Sequence, residues 1–246
     1  MDLIHRQKFF IHTYEIDAAG RAQVQALLNF LQDAAARHAA RLGFSVPDLM
    51  KRGLTWVLSR YHLSIRRYPR FFEEVTVTTW PSGLQGYFAL RDFEMSDAEG
   101  LFLAATTSWM LLSLKTKQRV KAEDHLPADM VHDRRSLPDA FPTIPPLGAA
   151  TRERRFRVSR RDLDMNRHVN NVVYIHWALE AVDDEVVAAK RPVDLEVSYR
   201  AEAFYDDEII SSLSPAEESD GKAAFLHRIT RASDGAELAR LRTSWA

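Results

Sequence analysis

The chain has 246 residues, of which 46% are hydrophobic and 27% are charged, with 9 glycines and 10 prolines. These values exclude collagen-like, low-complexity and largely disordered chains. The formal net charge of -1 gives the chain no overall attraction to nucleic acid or to a membrane surface, so neither is expected as a partner. Cysteine is absent, which excludes disulfides, thiolate metal sites and a cysteine nucleophile.

No apolar run in the sequence approaches the roughly 20 residues that a membrane-spanning helix needs. Residues 1–10 carry charge and have no apolar signal-peptide core. We therefore expect a cytoplasmic protein.

The first long helix is predicted between residues 22 and 42. Apolar residues recur there at helical spacing, among them Val24, Leu27 and Leu31, and Gly43 is a plausible end. The chain that follows is rich in Val, Ile, Thr and aromatic residues, which is typical of half-buried antiparallel strands.

A proline-rich segment divides the chain. Five of the ten prolines lie between Pro127 and Pro146, and residues 116–150 show neither helical nor strand periodicity. Because a structureless loop of this length is uncommon inside one compact domain, the segment is interpreted as a linker or an ordered crossover. The predicted domains are residues 1–115 and 151–246.

The two predicted domains repeat the same order of features. An aromatic-acidic stretch occurs at residues 71–74 and again at 204–207, and Thr107-Ser108-Trp109 returns as Thr243-Ser244-Trp245. A second helix, more densely apolar than the first, is predicted from residue 169 to about 189. The pattern predicts an α+β fold in two duplicated copies, each with a helix and several antiparallel strands.

The densest polar cluster, residues 160–171, lies where the second helix should begin. Asp162, Asp164 and Asn166 are residue types that commonly start helices. Because one helix start needs only one capping side chain, this interpretation leaves most of the cluster unexplained.

The first copy provides an internal control. Asp17 matches Asp164, but Ala19 and Arg21 stand where the second copy has Asn166 and His168. The chemistry is therefore predicted in the second copy. Near a helix N-terminus, unsatisfied N–H groups can hold an oxyanion and favour a neutral imidazole, so His168 could act as a base and Asn166 could hold a carbonyl or a water.

The cluster resembles a motif of the acyl-acyl-carrier-protein (acyl-ACP) thioesterases. These are tandem hotdogs, each a long helix wrapped by an antiparallel β-sheet, with a D-x-N-x-H-x-N-N motif in the C-terminal copy and a later strand that reads Y-R-x-E. The matching residues here are Asp164, Asn166, His168, Asn170, Asn171 and, in the later segment, Tyr199-Arg200-Ala201-Glu202. The resemblance implies hydrolysis of fatty acyl-ACP to free fatty acid and ACP, which ends chain elongation, without a cofactor or a metal ion.

By the same resemblance, the catalytic residues are Asp164, Asn166, His168 and Glu202, and Asn170 and Asn171 would contact the substrate. Many plant members have a cysteine directly after that glutamate, where this chain has Ala203. Direct attack by water is then expected. His168 and Glu202 would position and deprotonate the water, in a division of roles left open, while Asp164 would orient Asn166 or the helix start.

The resemblance further implies that the interior of the first copy holds the acyl chain. The candidate lining residues are Leu27, Leu31, Trp56 and Trp80. The competing interpretation is that these side chains form only the core of the copy.

The expected partner is an acidic carrier protein whose phosphopantetheine arm carries a phosphate. Arginine side chains bind phosphates and carboxylates well. The candidate docking residues are Arg152, Arg154, Arg155, Arg66 and Arg67. The alternative is that they form a solvated charged surface.

Other functions stay open at this point. An acyl-coenzyme A thioesterase would share the fold and the reacting bond, and a non-catalytic acyl-binding hotdog would share the fold alone. Glu202 and the Asn166–His168 pair favour an enzyme over a binder. Both a monomer and a homodimer are compatible with a tandem hotdog.

Overall fold

The computed structural model describes residues 3–219 and 221–246. Met1 and Asp2, which belong to the charged segment 1–10 considered above, lie outside the described residues. The chain forms two compact units, residues 1–140 and 141–246. Each unit consists of helices packed on an antiparallel sheet.

The first unit is built on five long strands in the order β1-β3-β4-β5-β2, all antiparallel. Its strands are β1 His5–Phe10, β2 Leu54–Ile65, β3 Glu74–Gln85, β4 Phe88–Asp97, β5 Gly100–Ser113 and a short β6 Arg119–Val120 that pairs with β5. Its helices are α1 Val24–Arg41, which packs on β3 and β1, and α2 Val46–Lys51, which packs on β2.

Helix α1 confirms the prediction for residues 22–42. Val24, Leu27 and Leu31 are all buried, as the helical spacing requires. The N–H of Gly43 donates to the carbonyl of Ala40, and Gly43 has a φ of 76°, a left-handed conformation that glycine adopts at little cost. The helix therefore ends where the sequence indicates.

The second unit repeats the arrangement with the strand order β7-β9-β10-β11-β8. Its strands are β7 Arg152–Arg157, β8 Pro192–Tyr199, β9 Glu208–Ser219, β10 Lys222–Arg231 and β11 Glu237–Trp245. Its helices are α3 Asn171–Leu179, which packs on β9, β10 and β11, and α4 Asp184–Ala189.

The prediction of one helix from 169 to about 189 is wrong, because α3 and α4 are separate. Ala181 and Val182, in the connection, are buried in a cluster with Leu213 and other core residues. Asp183 then starts α4 with extended backbone, and acidic residues occupy the first turn of that helix. Burial of the connection and a new start signal together end α3 after nine residues.

The duplication appears in side-chain detail as well as in strand order. The indole Nε1 of Trp109 donates to Thr107 Oγ1 over 2.9 Å, and Trp245 donates to Thr243 over the same distance. Two copies of one helix-and-sheet unit thus build the chain, which confirms the predicted α+β, tandem hotdog fold.

Most of segment 116–150 is ordered against the first unit. Beyond β6 it forms two 3-10 turns, Ala122–Asp124 and Ala128–Met130, and then an extended stretch. The N–H of Ser136 and the Nε of Arg135 donate to the carboxylate of Asp92, which is fully buried. The first compact unit consequently ends at residue 140, beyond the predicted boundary at 115.

Candidate active site

A tight turn before α3 presents the polar cluster. The side-chain oxygen Oδ1 of Asp164 accepts the backbone N–H groups of Asn166, at 2.8 Å, and of His168, at 3.2 Å. The N–H of Asp164 donates to the carbonyl of His168, and Leu163 bridges to Val169 across the turn. The carboxylate of Asp164 therefore orients Asn166 and His168 through their backbone.

The cap of α3 is Asn170, whose side-chain oxygen accepts the N–H of Val172 at 3.0 Å. Asp162 instead closes a preceding 3-10 turn by accepting the N–H of Ser159. Asp162, Asp164 and Asn166 are therefore not the start of the second helix, and that interpretation is wrong.

Asn171, the first residue of α3, accepts the Tyr199 hydroxyl at its carbonyl. The substrate contacts of Asn170 and Asn171 stay a prediction.

Glu202 lies in the loop after β8, not in a strand as the Y-R-x-E comparison suggested. Three hydrogen bonds fix the backbone of this loop. Val169 N–H donates to the carbonyl of Ala203, Ala203 N–H donates to the Tyr174 hydroxyl, and Arg231 donates to the carbonyl of Glu202 over 2.7 Å. The loop is therefore tied to the turn, to α3 and to β10.

These two supports bring the imidazole and the carboxylate together. Nδ1 of His168 lies 3.2 Å from Oε1 of Glu202. The side chains are 35% and 51% exposed, and the Phe204 ring stands perpendicular to the imidazole at 5.2 Å. Asn166 is exposed on the same turn. The four predicted catalytic residues thus lie on one turn and one adjoining loop, open to solvent.

Sequence reasoning missed Tyr174 and Arg231, which hold the Glu202 loop. Burial raises the pKa of the Tyr174 phenol well above its usual value, so the hydroxyl stays protonated. The signal for Tyr174 was a hydroxyl on an otherwise apolar helix, because a buried tyrosine usually has a hydrogen-bond partner. Arg231 lies in β10, and no short-range pattern connects it with the loop.

The first copy has the same turn without the same side chains. Asp17 Oδ1 accepts the N–H groups of Ala19, at 2.8 Å, and of Arg21, at 3.0 Å. Ala22 donates to the carbonyl of Pro69, as Val169 does to that of Ala203, so Tyr68 occupies the position of Glu202. The turn thus folds without an asparagine, histidine or glutamate.

The sequence match of residues 71–74 with 204–207 is one residue out of register. Phe72 N–H donates to the carbonyl of Ile11, and Asp206 N–H donates to that of Val158. Both donors have a positive φ, of 68° and 73°. Phe72 therefore corresponds to Asp206, whereas the sequence comparison aligned it with Tyr205.

The residues predicted to line an acyl chain lie in the first unit. Leu27, Leu31 and Trp80 are fully buried, and the Trp80 indole donates to the carbonyl of Arg134. Trp56 is half-buried and donates to the carbonyl of Phe44 at 2.9 Å. Their contact with a substrate stays a prediction.

Most of the arginines predicted to dock the carrier are paired with acids. Arg152 pairs with Asp183, Arg154 with Glu180 and Asp184, Arg155 with Glu208, and Arg67 with Glu73, Asp97 and Glu99. Arg66 is exposed. Docking by these five residues stays a prediction.

Residues 2–130 match the family model of the acyl-ACP thioesterase N-terminal domain, and residues 148–246 match that of the C-terminal domain. The chain belongs to the acyl-ACP thioesterase family. It is accordingly a thioester hydrolase.

The sequence similarity to curated relatives extends along almost the whole chain. The oleoyl-acyl carrier protein thioesterase of Coriandrum sativum is 30% identical, over 99% of this chain and 77% of its own length. The palmitoyl-acyl carrier protein thioesterase of Cuphea hookeriana is 32% identical, over 99% of this chain and 62% of its own length. Both relatives are described as chloroplastic.

Solved structures share the fold along the full chain. An acyl-ACP thioesterase from Bacteroides thetaiotaomicron superposes with a TM-score of 0.88 at 25% identity and covers 100% of this chain and 98% of its own. The 12:0-ACP thioesterase from Umbellularia californica gives a TM-score of 0.90 at 25% identity and covers 99% and 94%.

None of the helices in residues 3–219 and 221–246 combines the length and apolarity needed to cross a membrane. Within the same part of the chain, no group of three or more histidine and acidic side chains is arranged to hold a metal ion.

Proposed function

We propose that the second unit hydrolyses fatty acyl-ACP by direct attack of water on the thioester carbonyl. The observation that carries this proposal is the 3.2 Å contact between His168 Nδ1 and Glu202 Oε1. An imidazole whose one nitrogen faces a carboxylate is oriented to accept a proton at the other nitrogen. This assigns the role of general base to Nε2 of His168 and that of orienting group to Glu202.

The reaction then proceeds in two steps. A water oxygen forms a bond to the carbonyl carbon while His168 Nε2 takes the water proton, and the carbonyl π electrons move onto oxygen. The tetrahedral intermediate collapses, the carbon–sulfur bond breaks, and the imidazolium returns the proton to the departing sulfur. The products are a fatty acid and the free thiol of the carrier.

Asn166 is assigned to the oxyanion. Its side chain is exposed on the turn that carries His168, and an amide N–H₂ can donate to a developing negative charge. Asp164 holds that turn and is a positioning residue. Because Asn170 N–H donates to the carbonyl of Asp162 and Val172 N–H to the Asn170 side chain, these two N–H groups are already used within the chain.

The remaining assignments rest on family membership. The partner is an acyl carrier protein with a phosphopantetheine-linked acyl chain, the first unit receives the chain, and the reaction ends fatty acid elongation. The coenzyme A handle is less favoured, since the curated relatives named above act on acyl carrier protein by their descriptions. The cytoplasmic location predicted from the sequence is tested by fractionating cells that produce the protein.

The test compares His168→Ala and Glu202→Gln with the unchanged protein on an acyl-ACP substrate. General-base catalysis contributes about 10²–10⁴-fold, so His168→Ala should lose turnover in that range. Both side chains are at least one-third exposed, so the melting temperature should stay near that of the unchanged protein. Full turnover by His168→Ala would refute the assignment of this residue as the base.

A further inference from the structure

We propose that an exposed basic and aromatic surface around the candidate site docks the acidic carrier protein. The proposal rests on the proposed function. The surface, called the site rim below, consists of Arg160, Arg161, Met165, Arg167, Phe204 and Tyr205, all within the second unit.

The site rim is continuous with the candidate catalytic pair. The Phe204 ring packs against the His168 imidazole with the ring centres 5.2 Å apart, and Tyr205 follows Phe204 in the chain. The guanidinium of Arg160 lies 4.4 Å from the centre of the Tyr205 ring. A partner bound to the rim would therefore present its thioester arm beside His168.

Charge distinguishes the rim from the strand that precedes it. Along β7, Arg152, Arg154 and Arg155 are compensated by acids of the same unit. Arg161 is 86% exposed, and its guanidinium lies 3.9 Å from the carboxylate of Asp162. Among the residues that the structure describes, no acidic side chain lies within ion-pair distance of Arg160 or Arg167. The rim thus offers an acidic partner positive charge that the chain does not neutralise.

The backbone at Arg167 indicates that its side chain is present for function. Arg167 has a φ of 64°, in the left-handed region that disfavours residues with a Cβ. The same position of the turn in the first copy is Gly20, with a φ of 72°. The second copy therefore carries a strained arginine where glycine folds the same turn.

The first copy also has neutral residues at the other two cationic positions. The capping turns align Arg160 with Thr13 and Arg161 with Tyr14. The first copy does carry Arg21 and Arg70, at the positions of His168 and Phe204. In the first copy, arginines therefore stand at the positions of the candidate base His168 and of the aromatic Phe204. In the second copy, the arginines of the rim lie around these two residues.

Exposed apolar surface completes the rim. Met165 is 76% exposed, Phe204 45% and Tyr205 48%. Large apolar side chains bordered by cations are typical of a protein contact that combines a packed centre with charge steering. The occupant that fits both features is a small acidic protein.

The experiment measures KM and kcat for one acyl group on two handles, acyl carrier protein and pantetheine. The variant combines Arg160→Gln, Arg161→Gln and Arg167→Gly. The KM for acyl-ACP should rise about tenfold, since a tenfold change corresponds to the loss of a few partly solvated charge contacts. The KM for acyl-pantetheine should change by less than about twofold. Added salt should weaken acyl-ACP turnover more in the unchanged protein than in the variant.

Two further variants serve as comparisons. Arg37→Gln removes an exposed arginine of α1 that pairs with Asp33 and should leave both KM values unchanged. Arg155→Gln tests β7, where docking was predicted from the sequence. If Arg155→Gln raises the KM for acyl-ACP and the rim variant does not, docking occurs on β7 and the proposal is overturned.

Failure of the proposed function gives a different result. An unchanged protein that cleaves neither substrate would remove that function and this inference together. An unchanged protein that cleaves both, with a rim variant that shows the same KM on each, would overturn only the docking surface. Arg167→Gly alone should raise the melting temperature, and a lower one would show that Arg167 serves folding.

Discussion

At the turn before α3, one carboxylate holds two backbone N–H groups and so determines where the candidate catalytic side chains point. Asp164 and Asp17 play this part in the two copies with nearly equal distances. The hydrogen-bonded turn itself is therefore a structural feature of the fold that both copies share. What distinguishes the second copy is the set of side chains that the turn carries.

Asp164→Ala and Asp17→Ala form a matched pair that separates the contribution of the turn's carboxylate to stability from its contribution to turnover. Each removes an acceptor from two N–H groups, and each should reduce the free energy of unfolding by about 1–2 kcal/mol. Only Asp164→Ala should also reduce acyl-ACP turnover, beyond what partial unfolding explains. Denaturant titration and initial rates at a temperature well below unfolding measure the two effects. Equal turnover in both variants would remove Asp164 from the candidate site.

Ala203 gives a prediction about nucleophiles. It is fully buried, and its N–H and carbonyl are both hydrogen-bonded, to Tyr174 and to Val169. Since the unchanged chain has no cysteine, thiol-alkylating reagents should leave its turnover unaffected. In Ala203→Cys the new thiol should resist alkylation until the protein is unfolded, which mass spectrometry would measure. Rapid labelling of the folded variant would contradict the burial of this position.

The sequence was informative about which residues the structure brings together at the candidate site and less so about what supports them. Asp164, His168 and Glu202 were all selected from a short motif and one later segment. Tyr174 and Arg231 were missed because their contacts with the Glu202 loop span many residues of chain. Local patterns carry no signal for such contacts.

Among the helices and strands, β10 carries a buried histidine next to α3. His227 Nε2 lies 2.8 Å from Thr243 Oγ1 of β11, and burial lowers the pKa of His227 to about 3, against a weaker raising effect of the Ala178 backbone. The imidazole is therefore neutral in the folded protein at every pH above about 3. Unfolding would expose it to protonation below its ordinary pKa of 6.5.

This arrangement predicts a pH dependence of stability. Above pH 6.5 both states hold a neutral His227, and its titration contributes nothing. As the pH falls from 6.5 towards about 3, only the unfolded state gains a proton, so the free energy of unfolding drops by about 1.4 kcal/mol per pH unit. Denaturant titrations of the unchanged protein and of His227→Gln from pH 7.5 to 4.5 should show this extra slope only in the former. Parallel curves would contradict the burial of a neutral imidazole.

The start of α3 provides a test at the level of a single helix. Asn170 caps α3 through its side chain, whereas Gln23, at the same position before α1, makes no side-chain cap. Asn170→Ala should therefore reduce the free energy of unfolding by about 1 kcal/mol, and Gln23→Ala, which loses an exposed hydrogen bond to the Ile16 carbonyl but no cap, should reduce it by less. Denaturant titration of both variants compares them directly, and equal losses would argue against the cap.

Helix periodicity predicted α1 correctly and overestimated the length of α3, and both results have one physical reason. In α1 the apolar residues form a stripe along one side of the helix, so the pattern and the burial coincide. After Leu179 the chain stays apolar but leaves the helix, because Ala181 and Val182 fill the core as a connection. Apolar density alone cannot separate a buried helix from a buried turn.

Across the whole molecule, segment 116–150 shows where sequence reasoning reached its limit. Its prolines and lack of periodicity predicted a linker or an ordered crossover, and the structure orders most of it onto the first unit. The deciding partner is Asp92, a buried carboxylate in β4 that no local pattern connects with Arg135 or Ser136. The duplication itself, by contrast, was visible in the order of short matches.

Asp92 therefore holds residues 131–139 against the first sheet. Its carboxylate is fully buried and accepts from Ser82, Thr106, Arg135 and Ser136. Asp92→Ala leaves the Arg135 guanidinium without its buried partner, and breaking a buried ion pair costs about 3–5 kcal/mol. The segment should then become the first site of limited proteolysis, between residues 131 and 139. Glu94→Ala is the matched control, because Glu94, on the same strand as Asp92, pairs with Arg134 of this segment in a more exposed contact, whose loss should cost about 1 kcal/mol or less. If Asp92→Ala resists cleavage as well as Glu94→Ala does, the segment is held by its other contacts and not by this carboxylate.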